Sequence, residues 1–220
     1  AAIQSALNSA AVLGTSADTL GEVQAIVDAY NAIKANADNA TAANATDAQY
    51  AAIGVTGVDS AVKTSLLGDA IDGKAFADVD TVAEVQALAD AAAAVMSGAA
   101  GGAAPTKEQL AALGITGVTP ANLAAVQAAI AATTDNGTAV DTLSELQTVV
   151  TNAVNAAAAT TAALDTIKAA AEANTATSGN LAASVFATAG VTGVDANNLS
   201  AIQSALDSAA VNGGAADTKA

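Results

Sequence analysis

Carboxylates are the side chains of this chain best suited to holding a metal ion or moving a proton. Asp69, Asp72, Asp78 and Asp80 gather ahead of one recurring motif, and Asp135 lies near Asp141 ahead of another. Calcium is the ion that such oxygens suit. The spacing matches neither the EF-hand loop nor the glycine-rich nonapeptide, however, and Asp or Thr at these places serves as a helix N-cap. Paired carboxylates for glycoside hydrolysis need a cleft that keeps one acid protonated, which slim alanine helices do not build. The chain has no His, no Cys and no Arg. That removes disulfides, zinc or haem ligation of the usual kinds, imidazole acid–base chemistry and bidentate guanidinium clamps on phosphate. The expectation is a protein without catalytic, cofactor-binding or metal-binding residues, and so not an enzyme.

The charge balance restricts partners in the same direction. Six Lys face 21 Asp and Glu, for a net charge of −15 and an isoelectric point near 4.1. Such a surface repels nucleic acid and anionic membranes. Hydrophobic residues make up 53% of the 220 residues and mean hydropathy is +0.44, yet roughly 30% of the chain is alanine against a more mixed apolar set in ordinary domains. The apolar stretches are short and broken by Asp, Asn, Gly and Thr, so no membrane insertion is expected. No basic segment followed by an apolar run marks an N-terminal signal. Asn39, Asn44, Asn136 and Asn198 open glycosylation triplets, which chance supplies readily in a chain this rich in Asn, Thr and Ser.

What organises the chain is an internal repeat. DTLGEVQ at 18–24 returns as DTVAEVQ at 80–86 and DTLSELQ at 141–147, and a further Asp-Thr stands at 217–218. GVTGVD at 54–59 returns as GITGVT at 114–119 and GVTGVD at 190–195. AIQSALNSAAV at 2–12 reappears as AIQSALDSAAV at 201–211, an offset of 199 residues. The expected division is therefore 1–17, the end of a preceding repeat; 18–79, 80–140 and 141–216, three repeats; and 217–220, the start of a following one.

Each repeat carries three helix signals. Thr19 with Glu22, Thr81 with Glu84 and Thr142 with Glu145 have capping-box spacing at the start of a first helix. Its apolar stripe reads Leu20, Val23, Val27, Tyr30 and Ile33 in the first repeat, and Leu143, Leu146, Val150 and Val154 in the third. A short second helix, opened by Thr46 with Gln49 or Thr106 with Gln109, ends at Gly54, Gly114 or Gly190. A left-handed glycine there pairs Tyr50 with Val55, Leu110 with Ile115 and Phe186 with Val191 across the cap. A third helix is expected to start at N-caps Asp59, Thr119 and Asp195, with Pro120 at a first helical position and staples Val118–Leu123 and Val194–Leu199. Lys63 replaces the staple leucine in the first repeat. Closure is expected near Asp72-Gly73, Asn136-Gly137 and Asn212-Gly213. The glycines and valines of GVTGVD are thus accounted for by a cap, a tight turn and a staple, without a ligand.

IKANAD at 33–38 resembles IKAAAE at 167–172, so the extra residues of the third repeat fall inside its first helix. The gap from Glu22 to Ile33 is 11 residues and that from Glu145 to Ile167 is 22. About three helical turns are added, which keeps the stripe in phase.

Units of this size with alanine interfaces have marginal cores alone and gain stability from neighbours. The expected architecture is all-α: tandem three-helix units stacked into a rod, superhelix or filament. Arginine-free, cysteine-free, acidic repeats rich in Ala, Thr, Asp, Asn and Gly resemble the repeat regions of very large bacterial surface and secreted proteins, of adhesin, biofilm-matrix or extracellular-filament type. The resemblance implies a structural segment at the cell surface or outside the cell, whose partners are neighbouring repeats. The alternative is a three-helix module that binds a host or matrix protein. That role calls for an exposed aromatic or aliphatic patch, and the aromatic residues are only Tyr30, Tyr50, Phe76 and Phe186.

Overall fold

A computed structural model describes residues 2–37, 42–134, 136–173 and 181–216. Among the described residues the protein is all-α. Its helices in chain order are α1 (Ala2–Leu7), α2 (Leu20–Ala37), α3 (Asp47–Ala52), α4 (Ala61–Asp72), α5 (Val82–Ala99), α6 (Lys107–Ala112), α7 (Leu123–Ala131), α8 (Leu143–Ala173), α9 (Ala183–Thr188) and α10 (Leu199–Leu206). Two compact bodies divide the chain, Ala1–Ala153 and Val154–Ala220, with the boundary inside α8. In sequence terms the first body holds two complete periods and parts of their neighbours.

Helix starts follow the capping rule. Glu22 N–H donates to Thr19 Oγ1 at 3.3 Å while Thr19 N–H donates to Glu22 Oε2 at 2.9 Å. Thr81 and Glu84 form the same reciprocal box, as do Thr46 with Gln49 and Thr106 with Gln109. At α8, Glu145 N–H donates to Thr142 Oγ1 at 3.2 Å, and the Thr142 hydroxyl rather than its backbone meets the Glu145 carboxylate at 2.9 Å. The second helices end as expected. Gly54, Gly114 and Gly190 have φ of 86°, 94° and 83°. Val55, Ile115 and Val191 N–H donate to the carbonyls of Tyr50, Leu110 and Phe186 at 3.0, 3.0 and 2.9 Å, which is the 6→1 bond of a Schellman cap.

Third helices begin later than their expected caps in all three repeats. The N-caps of α7 and α10 are Asn122 and Asn198 rather than Thr119 and Asp195, and Pro120 stands in the turn ahead of α7 instead of at its first helical position. Thr119 and Asp195 open that turn, each accepting from the asparagine N–H three residues on and each answered by its side chain. Thr119 N–H donates to Asn122 Oδ1 at 2.7 Å and Asp195 N–H to Asn198 Oδ1 at 2.9 Å. The same amides donate to Gly117 and Gly193 carbonyls at 3.0 and 2.7 Å. In the first repeat Ser60, not Asp59, is the N-cap of α4. Val62 stands where the asparagine would be and cannot reach back, and Asp59 instead pairs with Lys63 at 2.7 Å. Two of the three helices also stop before the expected glycine turns, α7 at Ala131 and α10 at Leu206. Three-residue 3-10 turns at Gly14–Ser16, Phe76–Asp78 and Gly213–Ala215 follow α1, α4 and α10.

In the first body, α2 packs on α1, α3 and α4, while α5 packs on α1, α4, α6 and α7. Alanine permits this crowding. Val85, Leu88, Ala89, Ala91, Ala92, Val95, Met96 and Ala99 of α5 are all buried, a band far wider than one stripe. On α2 the buried face is Ile26, Tyr30, Ile33 and Ala37 with Ala29 and Asn36; Leu20 is 85% exposed, so the stripe begins a turn and a half later than its spacing indicates. The core of the second body gathers α8, α9 and α10 around Ile167, Ala171, Leu181, Phe186, Ala189 and Leu206. α8 runs for 31 residues against 18 for α2 and α5, so the extra residues of the third repeat do lie within its first helix.

Candidate functional site

Glutamine amides tie one sequence repeat to the next. Gln86, the last residue of DTVAEVQ, sits on α5 with its Oε1 accepting from Thr56 N–H at 2.9 Å, while its Nε2 donates to Thr56 O at 3.1 Å. Thr56 lies in the loop that closes the preceding second helix. Gln147, last in DTLSELQ, treats Thr116 identically, at 2.9 and 3.2 Å. A side-chain amide thus satisfies both backbone groups of one residue, as a neighbouring strand would. Each glutamine is held in that pose from its own helix: Gln86 Nε2 also donates to Asp90 Oδ1 at 2.7 Å, and Gln147 Nε2 to Thr151 Oγ1 at 3.2 Å.

A second amide works inside a repeat. Gln127 Nε2 of α7 donates to Pro105 O and Gln203 Nε2 of α10 to Leu181 O, each at 2.9 Å. The carbonyls they hold stand just ahead of α6 and α9. Leu67 occupies the matching place in the first repeat and is fully buried, so no side-chain amide is present there to make the bond.

A third link skips a repeat. Ser5 Oγ on α1 accepts the N–H of Val82 at the start of α5 at 3.1 Å, and Asp69 Oδ2 on α4 accepts the N–H of Leu143 at the start of α8 at 3.1 Å. In both cases a third helix supplies an acceptor to the first helix two repeats on. That N-terminus has orphan donors, and a side chain from another element satisfies one.

The acidic residues follow the caps. At the start of α2, the Glu22 carboxylate pushes the pKa of Asp18 up, while bonds from Thr19 pull that of Glu22 down. Burial, then Glu145 and Asp69, raise Asp141, and Lys63 lowers Asp59. Burial, with Asp69 nearby, raises Asp72, whose Oδ1 accepts from the fully buried Asn36. Asn36 also donates to Asn44 Oδ1 at 3.4 Å, leaving its own Oδ1 without a partner. This polar cluster closes the C-terminal ends of α2 and α4. Among the described residues no three carboxylates converge to hold a cation, so Asp69, Asp72, Asp78 and Asp80 are not drawn together as a calcium site; Asp135 lies outside the described residues.

Of the glycosylation triplets, Asn39 lies outside the described residues, Asn44 and Asn198 are engaged in the bonds above, and Asn136 Oδ1 accepts from Thr138 N–H at 3.2 Å. Tyr30, Tyr50 and Phe186 are buried, and Phe76 is half-buried with Lys34 Nζ 5.8 Å from its ring centre. None of the four offers an open aromatic surface. Large exposed apolar side chains are instead aliphatic: Ile3, Leu7, Leu13, Leu20 and Val191. Among the described residues no helix is long and apolar enough to cross a membrane. No protein-family model, curated protein or solved structure matches the chain.

The motifs made the glutamines visible as recurring residues, but only the fold reveals their partners. The periodic recurrence of Thr two places after the capping glycine is the signal that pairs with them.

Proposed function

We propose that this chain is a non-enzymatic structural segment: tandem three-helix repeats joined end on end into an elongated body, serving as a spacer or filament shaft at a bacterial surface or in an extracellular matrix. The observation that carries the reading is the repetition of one junction, Gln86 on Thr56 and Gln147 on Thr116, atom for atom in two successive repeats. A junction that reproduces its own geometry lets length grow by duplication, with stability accruing from neighbour terms. The chemistry of the surface fits a passive role. Several carboxylates are engaged within the fold, as in the Glu22 and Glu84 caps, the Asp28 and Asp90 braces and the Asp59–Lys63 pair, and a net charge of −15 keeps such bodies apart in solution. The surface or matrix location rests on the resemblance in composition and repeat style.

Small-angle scattering of the 220-residue chain tests the architecture. A compact protein of this length has a radius of gyration of roughly 17 Å; the rod requires a value well above that, with a cross-section of helical-bundle width. A compact particle would sink the reading. Antibody detection in washed-cell, surface-extract and culture-supernatant fractions tests the location, and signal confined to the cytosolic fraction would overturn it.

A further inference from the structure

We infer that the chain carries a site of covalent self-modification, the Asn136–Gly137 bond, which the turn ahead of α8 disposes to deamidate through a cyclic imide. The inference is independent of the role proposed above.

The chemistry needs an asparagine whose following residue leaves its own amide nitrogen unshielded. Of the chain's asparagines only Asn136 and Asn212 precede glycine. The Gly137 nitrogen loses its proton to hydroxide and attacks Asn136 Cγ, the side-chain nitrogen leaves as ammonia with a proton from water, and a five-membered imide remains. Water then adds to one of the two imide carbonyls and breaks its bond to the ring nitrogen. Opening at Cγ gives aspartate in an ordinary chain. Opening at the backbone carbonyl gives isoaspartate, in which the chain runs through the side-chain carbon.

Gly137 is fixed by the fold. Its φ is 77°, and a Cβ there would lie 2.6 Å from Met96 Sδ and 3.6 Å from Val62 Cγ2, so backbone and packing both call for glycine. Asn136 by contrast is exposed, so hydroxide and water reach it. Its Oδ1 folds back along the chain to accept from Thr138 N–H at 3.2 Å and from the Thr138 hydroxyl at 2.9 Å. The tight ring closed by the first bond contains Asn136 Cγ and Gly137 N, the two atoms that must join. Both donors point at the oxygen on which negative charge develops as Cγ becomes tetrahedral, the arrangement of an oxyanion hole. One bond opposes the reaction: Gly137 N–H donates to Thr134 O at 3.1 Å and must be released first.

Asn212 supplies a control within the chain. It too is exposed, but its Oδ1 is drawn to Ala215 N–H, three residues on, at 3.1 Å, where it caps a 3-10 turn. Gly214 stands where Thr138 stands in the other turn, so that place offers no hydroxyl donor. The two products at 136 also differ in consequence. Aspartate keeps oxygens for both Thr138 donors. Isoaspartate adds a backbone atom ahead of Gly137, whose carbonyl accepts from Val140 N–H at 3.1 Å and so seats the fully buried Val140 at the entry to α8.

Incubation of the intact chain at mildly alkaline pH, followed by peptide mapping and mass spectrometry, tests this. In the folded chain Asn136 should convert about three-fold or more faster than Asn212, a factor within reach of one exposed hydrogen bond, and the two rates should converge in denaturing urea. Thr138→Val, checked for unchanged helicity, removes the hydroxyl donor but keeps the N–H, and should slow Asn136 while leaving Asn212 unchanged. The isoaspartate form, separated by chromatography, should melt below the Asn136→Asp variant, which should melt close to wild type. The inference is overturned by an Asn136 no faster than Asn212 in the folded chain, by a ratio that urea leaves unchanged, by a Thr138→Val chain that deamidates as fast as wild type, or by an isoaspartate form that melts like Asn136→Asp.

Discussion

The amide of Gln86 closes on both backbone groups of Thr56, thirty residues away, and in doing so ends one sequence repeat against the beginning of the next. Because the glutamine both accepts and donates, its chemistry is not interchangeable with that of glutamate. Gln86→Ala should lower stability by about 1 kcal/mol, since the threonine groups are exposed and water takes the place of the amide. Gln86→Glu should be worse near pH 7: a carboxylate cannot donate to Thr56 O, and it faces Asp90. Below the carboxylate range the substituted acid regains a donor, so Gln86→Glu should recover towards wild type and become the more stable of the two variants. Urea melts of both, at neutral and acid pH, decide this; equal losses at every pH would refute the two-way clamp.

The capping glycines give a graded series. Gly114 has φ 94° and open space where a Cβ would sit, whereas at Gly54, with φ 86°, that atom would lie 3.0 Å from Ala11 Cβ and 3.1 Å from Ser9 Oγ. Gly114→Ala should cost about 1–2 kcal/mol from the left-handed backbone alone. Gly54→Ala should cost more, because the segment after α1 must also move. Thermal unfolding of the pair, with equal losses, would show that the α1 segment does not press on this cap.

How far such features can be read from sequence depends on how local they are. The capping boxes at Thr19, Thr81 and Thr46 and the three Schellman caps involve residues within one turn, so spacing alone reveals them. The stripe on α2 misled because Leu20 continues the helical period but no neighbour covers it. Asp59 has the residue type of a cap and lost that role to Ser60 once Val62 replaced the bracing asparagine. The Gln–Thr clamps and the Ser5 and Asp69 acceptors join residues 30 or more apart in sequence; the recurrence of Thr after the capping glycine marks the threonines, but no local spacing ties either set of partners together. Alanine hid the rest: it marks no face, so the broad buried band of α5 had no stripe to announce it.

Asn122 and Asn198 brace the starts of the third helices, accepting from Thr119 or Asp195 N–H and donating to the carbonyl of the second loop glycine. Asn122→Ala should destabilise by about 1–2 kcal/mol, the range for a lost cap. Amide exchange at Thr119 should accelerate at the same time, its N–H having lost Asn122 Oδ1. Unchanged protection at Thr119 would contradict the brace.

Asp72 sets a pH dependence whose sign is opposite to that of an ion-paired carboxylate. Burial, then Asp69, raises its folded pKa above the ordinary 3.8. The folded protein therefore binds this proton before the unfolded chain does. Its contribution to stability grows as pH falls from the folded pKa towards the unfolded value, and is lost as pH rises through the folded one. Glu22 and Asp59, both lowered, act the other way, so the difference between wild type and Asp72→Asn isolates the group. The variant should be more stable at pH 7, with the advantage shrinking as the pH drops into the carboxylate range. A variant less stable at pH 7, or a difference flat with pH, would refute it.

The two tyrosines report on the integrity of both helix contacts at alkaline pH. Burial pushes Tyr30 up to about 12 and Tyr50 higher still, against an ordinary value of 10.0. The chain has no tryptophan to obscure phenolate absorbance. Folded protein should thus show no ionisation step near pH 10. The unfolded chain deprotonates there while the folded one does not, so stability falls as pH rises above 10 towards the folded values. Phenolate absorbance should therefore appear together with the loss of helical circular dichroism, in one transition. A tyrosine that titrates near 10 with the helices intact would place its hydroxyl in water and contradict the buried packing of α2 or α3.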